Sequence, residues 1–135
     1  MTDSLSRVIS RFIISTDYDN LPPEVVDKMK ASLFHSLLVS IIGADTSHGK
    51  AAVELAKVEE SKENGATILV DGTKATRSGA AFANSKLMHA TNQSDSYRML
   101  IHPGPCIIPS VLAAAELGSS SGKDVLAAMA VAYEI

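Results

Sequence analysis

The sequence predicts an all-α fold, a bundle of about six helices with one short β segment, and three observations carry that reading. Apolar residues recur at the three-and-four spacing of an amphipathic helix along most of the chain. Only 4% of the residues are aromatic and Trp is absent, so the core must come from Ala, Leu, Ile, Val and Met. Such side chains suit close helix–helix packing better than a β-sandwich. One segment alone carries a convincing strand signal.

Leu5, Val8, Ile9, Phe12 and Ile13 define a first helix that starts near Asp3 or Ser4 and ends around Thr16. Asp17 to Asn20 reads as a loop. Pro22 and Pro23 restart the chain, with Glu24 and Asp27 placed favourably in the first turn of a second helix running to about Gly43. The later half of that helix is apolar on nearly every side, which predicts a central position. Ser47 opens a third helix through Ala51, Ala52, Leu55 and Ala56. It gives way to a charged, solvated stretch (Glu59, Glu60, Lys62, Glu63) before Asn64-Gly65.

Residues 66–70 read as the strand, closed by a tight turn at Asp71-Gly72. Thr76 is a candidate N-cap for a fourth helix that packs through Ala80, Ala81, Ala83, Leu87 and Met88. A fifth helix follows Pro105 and stops at Gly118, read as its C-cap. Ser121 and Asp124 form a capping-box pattern for a sixth. That helix is still apolar and uncapped at Ile135, as expected of a domain cut at its C-terminus.

A length of 135 residues suits one domain with a sizeable core. With 46% apolar and 20% charged residues the chain is globular, not disordered. A net charge of −3 with scattered Lys and Arg offers no footprint for nucleic acid and no polybasic arm for a membrane. The N-terminus lacks a signal peptide, and the longest apolar run, 37–44, is too short to span a bilayer. The lone Cys106 cannot form an internal disulfide, which points to a reducing cytoplasm. Its neighbours Ile107 and Ile108 favour a small buried hydrophobe over a reactive thiol. His35 and His48 stand at no ligand spacing, so no metal is expected.

The chemistry concentrates in residues 89–109, HATNQSDSYRMLIHPGPCIIP. Two histidines, an acid, an amide and several hydroxyls share a loop that breaks at His102-Pro103-Gly104-Pro105, and an apolar helix starts at once. The first N–H groups of a helix have no intrahelical partner, so such a loop suits an anion. A carboxylate held there beside a histidine suits proton chemistry next to a carboxyl group. Pro103 and Pro105 restrict the backbone and Gly104 permits the turn. Asn92, Asp95, Ser96 and His102 are therefore expected to converge on one cleft facing that helix N-terminus. His89 stands at a helix end, where it would cap the C-terminus. Arg98 is a possible carboxylate clamp, although a surface charge is the simpler reading.

Several landmarks, in order, resemble the MmgE/PrpD family, which includes 2-methylcitrate dehydratase, cis-aconitate decarboxylase and iminodisuccinate epimerase. Asp19-Asn20-Leu21-Pro22-Pro23-Glu24-Val25-Val26 resembles the family's LPPEVV start of the second helix. ATILVDG (66–72), AAFANSKLMHA (80–90), HPGPCIIPSVLAAAEL (102–117) and SGKDVLAAMAVAYEI (121–135) follow. The resemblance covers essentially the whole chain and implies the N-terminal part of that family's helical domain, residues 1–135.

The family's loop has the form H-A-x-D-F-D-D-T, six residues before the histidine of HPG. Asp95 matches its final acid, Ser96 replaces its threonine and His102 matches the HPG histidine. Asn92 and Ser94 stand where the other two acids are expected. An Asn can bind a carboxylate or hydroxyl but cannot act as a general base.

The resemblance implies a cofactor-independent lyase (hydro-lyase or decarboxylase) or epimerase that moves a proton next to a carboxylate of a small di- or tricarboxylic acid. His102 and Asp95 are then the catalytic candidates, and Asn92, Ser96, Gly104 and His89 the substrate-binding ones. It further implies a homodimer, or association with a missing C-terminal part that brings another histidine and a lysine. The 135-residue chain alone is then inactive. The competing reading is a non-catalytic helical module or subunit that binds a carboxylate ligand or a protein partner.

Overall fold

The computed structural model describes residues 3–135. Six helices, α1 (Leu5–Ser15), α2 (Pro23–Gly43), α3 (Ser47–Glu59), α4 (Arg77–His89), α5 (Pro103–Gly118) and α6 (Gly122–Glu134), surround one hairpin of β1 (Ser61–Thr67) and β2 (Lys74–Ala75). No helix among the described residues is long and apolar enough to cross a membrane.

Helix starts follow local chemistry. The Thr46 hydroxyl accepts from the Gly49 N–H and the Thr76 hydroxyl from the Gly79 N–H, capping α3 and α4. Ser121 and Asp124 form a reciprocal capping box on α6, and Pro23 is the first residue of α2. The segment read as a loop after α1 contains a 3-10 turn, Tyr18–Asn20, held by a capping box between Asp17 and Asn20.

Helix α4 is the centre of the domain, packed against α2, α3, α5 and both strands. On one side Ala56, Ala66, Ile68, Ala75, Ala80, Ala83, Leu87 and Ala113 form a small-residue core. On the other, Val26, Met29, Val39, Met88, Ile108, Leu126 and Met129 form a larger one. A Cβ on Gly43 would lie 2.0 Å from the Leu87 carbonyl oxygen, so α2 reaches α4 at backbone contact. The buried Asn84 ties α4 to the hairpin: its side chain accepts from the Leu69 N–H at 2.9 Å and donates to the Thr67 carbonyl at 2.9 Å. Burying that amide is tolerated because both of its ends are paired.

Four expectations need correction. The strand begins at Ser61, not Ala66, and is over by Thr67; residues 68–73 form the turn, with Gly72 at φ 75°. The charged stretch around Lys62 is therefore strand. It is bulged between Ser61 and Ala66, and it pairs antiparallel with a short β2 that local pattern did not reveal. The later half of α2 is not enclosed. It buries Ser36, Val39, Ser40 and Gly43, while Phe34, Leu38, Ile41 and Ile42 face outward. Close approach to α4 at Gly43 leaves no room for a side chain there. Gly118 is the last helical residue of α5, and Ser119 takes the left-handed position at φ 52°. Cys106 is exposed, on the side of α5 opposite the buried Ile108.

Gly43→Ala is expected to destabilise the domain by about 2–3 kcal/mol, because the clash is with backbone and cannot be relieved by a rotamer change. That cost exceeds the roughly 1 kcal/mol gained in helix propensity. Thermal unfolding should register a fall of roughly 10 °C.

The hairpin is anchored by two carboxylates. Glu116 on α5 accepts from the Thr67 N–H at 2.7 Å and pairs with Lys74; Asp71 in the turn pairs with Lys57 and accepts from the Thr73 N–H at 3.0 Å. Partial burial alone would raise both acidities' pKa values. The hydrogen bonds and lysines outweigh it, lowering Glu116 and bringing Asp71 down to about 2. Depressed folded-state values mean that this stabilisation is present above pH 4 and lost as pH falls toward 2. Melting temperature followed across that window should drop less in Glu116→Gln and Asp71→Asn than in the wild type.

Candidate functional site

The loop joining α4 to α5 is built around the carboxylate of Asp95. Of the first three residues of α5, Pro103 and Pro105 have no N–H, so Gly104 carries the one free donor of that turn. Asp95 Oδ1 accepts it at 2.9 Å, and Oδ2 lies 3.2 Å from the same nitrogen. The phenol of Tyr133, on α6, donates to Oδ2 at 2.8 Å. Burial and then the neighbouring Asp95 push the Tyr133 hydroxyl well above its ordinary range, so it remains a proton donor. A Cβ on residue 104 would lie 2.5 Å from Oδ1, which is why glycine stands there. The helix terminus read as an open anion site thus already holds the chain's own anion.

The backbone of Asp95 fixes the histidine. His102 is the N-cap residue of α5, and its Nδ1 is 2.8 Å from the Asp95 carbonyl oxygen. A carbonyl only accepts, so Nδ1 carries the proton and Nε2 the lone pair. Among the described residues Nε2 has no hydrogen-bond partner. Ser94 Oγ lies 3.3 Å from His102 Nδ1 and 3.1 Å from His89 Nδ1, and the two rings are 4.9 Å apart, centre to centre. With Nδ1–H of His102 pointing at the Asp95 carbonyl, the arrangement that gives the Ser94 proton a ring acceptor places it on His89 Nδ1, and we assign the His89 proton to Nε2. The pair then presents one Nε2 lone pair and one Nε2–H donor.

Around this cluster the loop separates two pockets. One, of about 290 Å³, lies against α2 and is lined by Lys28, His35, Gln93, Ser94, Asp95 and Tyr133, among others. His35 donates from Nε2 to the Gln93 carbonyl at 2.7 Å and pins the loop there. The other, of about 230 Å³, is lined by His48, Lys86, His89, Ala90 and Asn92. Asn92 takes the left-handed conformation at φ 54°, and its N–H bonds to the His89 carbonyl at 3.0 Å, the turn that ends α4.

The candidates thus do not share one cleft. His102, His89, Asp95 and Gly104 are connected; Asn92 sits in the pocket behind His89; Ser96 is exposed and lines neither pocket. Arg98 and Met99 both adopt positive φ, 51° and 61°, at the tip of a small turn closed by Tyr97 and Ile101. Arg98 lies over the Tyr97 ring, 5.0 Å from its centroid, as a surface charge. Sequence reasoning missed Ser94 as a linker, Tyr133 as a clamp and His35 as an anchor. Only Ser94 carried a local signal, its place between the two histidines.

The profile of the MmgE/PrpD N-terminal domain matches residues 7–135. The chain belongs to the MmgE/PrpD family. No curated protein and no solved structure gives a significant match. Membership accounts for the helical architecture and for the order of landmarks around the HPG motif. Of the two uncharged loop residues, Asn92 lines the pocket beside Lys86 and Ser94 bridges two imidazoles.

Long-range ¹H–¹⁵N NMR at neutral pH should show His102 protonated on Nδ1 and His89 on Nε2. Ser94→Ala should leave His102 as it is, held by the Asp95 carbonyl, and return His89 to a mixture of tautomers. Identical tautomers in both rings of the wild type would contradict the assignment.

Proposed function

We propose that this domain supplies the proton-transfer histidine of a lyase or isomerase acting next to a carboxylate of a small di- or tricarboxylic acid, as in 2-methylcitrate dehydratase-like members of the MmgE/PrpD family. The observation that carries the proposal is the His102 ring: its Nδ1 is committed to the Asp95 carbonyl, and its Nε2 lone pair is unengaged. A base must hold its lone pair toward the proton it takes, with its other nitrogen fixed by a second group. His89 Nε2–H, a neutral N–H, suits donation of a hydrogen bond to a substrate oxygen, while the proton that His102 takes up makes its imidazolium the acid for a leaving hydroxyl. Asp95 acts through His102 and the α5 terminus, its carboxylate being fully engaged by Gly104 and Tyr133. The same engagement, with neutral residues at 92 and 94, favours the second reading of a carboxylate-binding module without turnover.

The test uses the protein isolated from its own cells, with whatever polypeptide accompanies it. It is incubated in D₂O with 2-methylcitrate, cis-aconitate and related acids. Deuterium should enter next to a carboxylate, and His102→Ala should slow that exchange by about 10²–10⁴-fold, the usual contribution of a general base. Binding without exchange for every acid would support the module. An unchanged rate in His102→Ala would overturn the proposed role.

A further inference from the structure

We propose that α1 is an exchanged arm: its apolar stripe packs on the outer face of α2 in a second copy of this chain, and the reciprocal contact closes a two-fold dimer. Leu5, Val8, Ile9, Phe12 and Ile13 lie along one side of α1, the pattern of a helix that buries a face. None of its residues is buried, however. Among the described residues it also takes no substantial part in the packing that joins the other helices and the hairpin. Leu5 is 74% exposed and Ile13 47%. With 11 residues, α1 falls short of the roughly 12–15 at which an isolated helix becomes even marginally stable in water, so its stripe requires a cover.

The chain's own body does not supply that cover, because the exit of α1 is fixed. The Asn20 side chain donates to the Ser15 carbonyl at 3.0 Å, which ties the end of α1 to the Tyr18–Asn20 turn. That turn is held on α6. Tyr18 packs into the larger core, and Lys123 lies 4.9 Å from its ring centroid while pairing with Asp19 at 2.7 Å. The arm therefore leaves the domain in a set direction.

Helix α2 offers the complementary surface. Phe34, Leu38, Ile41 and Ile42 form a second unpartnered stripe, with Phe34 65% and Ile41 64% exposed. Each stripe runs over a little more than two helical turns, roughly 12 Å, so the two match in length. Together their exposed side chains present on the order of 800 Å² per copy, the amount that each partner buries in a standard stable interface. Exchange buries both stripes of both copies through one contact used twice and leaves no open end. A lipid surface fits less well. Arg11, one of two arginines on α1, is already paired with Asp3, and the net charge of −3 opposes attraction to an anionic membrane.

Sedimentation of the intact chain should show a dimer in the micromolar range. Phe12→Glu and Ile41→Glu each put a charge into the contact and should raise the dissociation constant roughly a hundredfold or more. Leu100→Glu, at an exposed apolar residue of the loop between α4 and α5, should leave it within about twofold. Disulfide trapping in a Cys106→Ser background reads the exchange itself, and it decides the question even if a glutamate variant fails to fold. Ile9→Cys in one copy and Leu38→Cys in a differently tagged copy should link between chains on oxidation, and so should the double variant. A monomeric wild type, dimers that persist in both glutamate variants, or a double variant linked only within its own chain each overturns the proposal. So does a monomer that floats with phosphatidylserine vesicles, which makes lipid the cover of α1.

Discussion

A single carboxylate, Asp95, organises the loop on which the site depends. Two prolines in the first turn of α5 remove the N–H groups that would ordinarily be shared among solvent and side chains, leaving Gly104 as the sole donor. A charged acceptor on that donor contributes on the order of 1.5–3 kcal/mol, more than a neutral cap provides. Because the same residue offers its backbone carbonyl to His102, the start of the helix and the orientation of the ring are set together. Tyr133 closes the arrangement from α6, so three elements distant in sequence converge on two oxygens. A change that frees Asp95 would loosen the helix start, the ring and the α5–α6 contact at once.

The frame behind that loop is α4. Its small face admits α2 at backbone contact, and its Asn84 holds the hairpin, so its last residue, His89, is delivered at a fixed height beside α5. Backbone contact at Gly43 fixes the rotation of α2, in which Ser36, Val39 and Ser40 are buried and Phe34, Leu38, Ile41 and Ile42 are exposed.

Helices were legible in the sequence because their signals are local. Thr46, Thr76, Ser121 and Pro23 mark starts by chemistry that needs only neighbouring residues. The hairpin was half legible: β1 is chosen by pairing with Ala75 and by Glu116, 49 residues away from Thr67, against the charged character of its first residues. At the site, the identity of His102 and Asp95 could be read from the HPG landmark, but their roles could not. Asp95 reads in the sequence as a catalytic candidate, and in the structure its carboxylate caps α5; its clamp, Tyr133, is 38 residues further on and has no local signature. Asn92 and Ser96 do not join that cluster: Asn92 takes a left-handed conformation in the turn that ends α4 and lines the pocket beside His89, and Ser96 is exposed.

The neutral residues at 92 and 94 bear on the proposed chemistry through charge alone. With Asp95 engaged on Gly104 and Tyr133, no loop carboxylate is free beside the histidines, and in the proposed reaction proton abstraction falls to an imidazole. An imidazole base is neutral when active and positive once it has taken the proton, the opposite of a carboxylate, which starts negative and ends neutral. A substrate rich in negative charge would thus be bound without repulsion before the transfer in the proposed reaction, and attracted more strongly as His102 became cationic. The growing attraction would stabilise the transition state more than the ground state, which is the condition for lowering a barrier. An acid at position 94 would compete for the same ring nitrogens and cancel that gain. A serine there transmits the proton order between His89 and His102 while adding no charge.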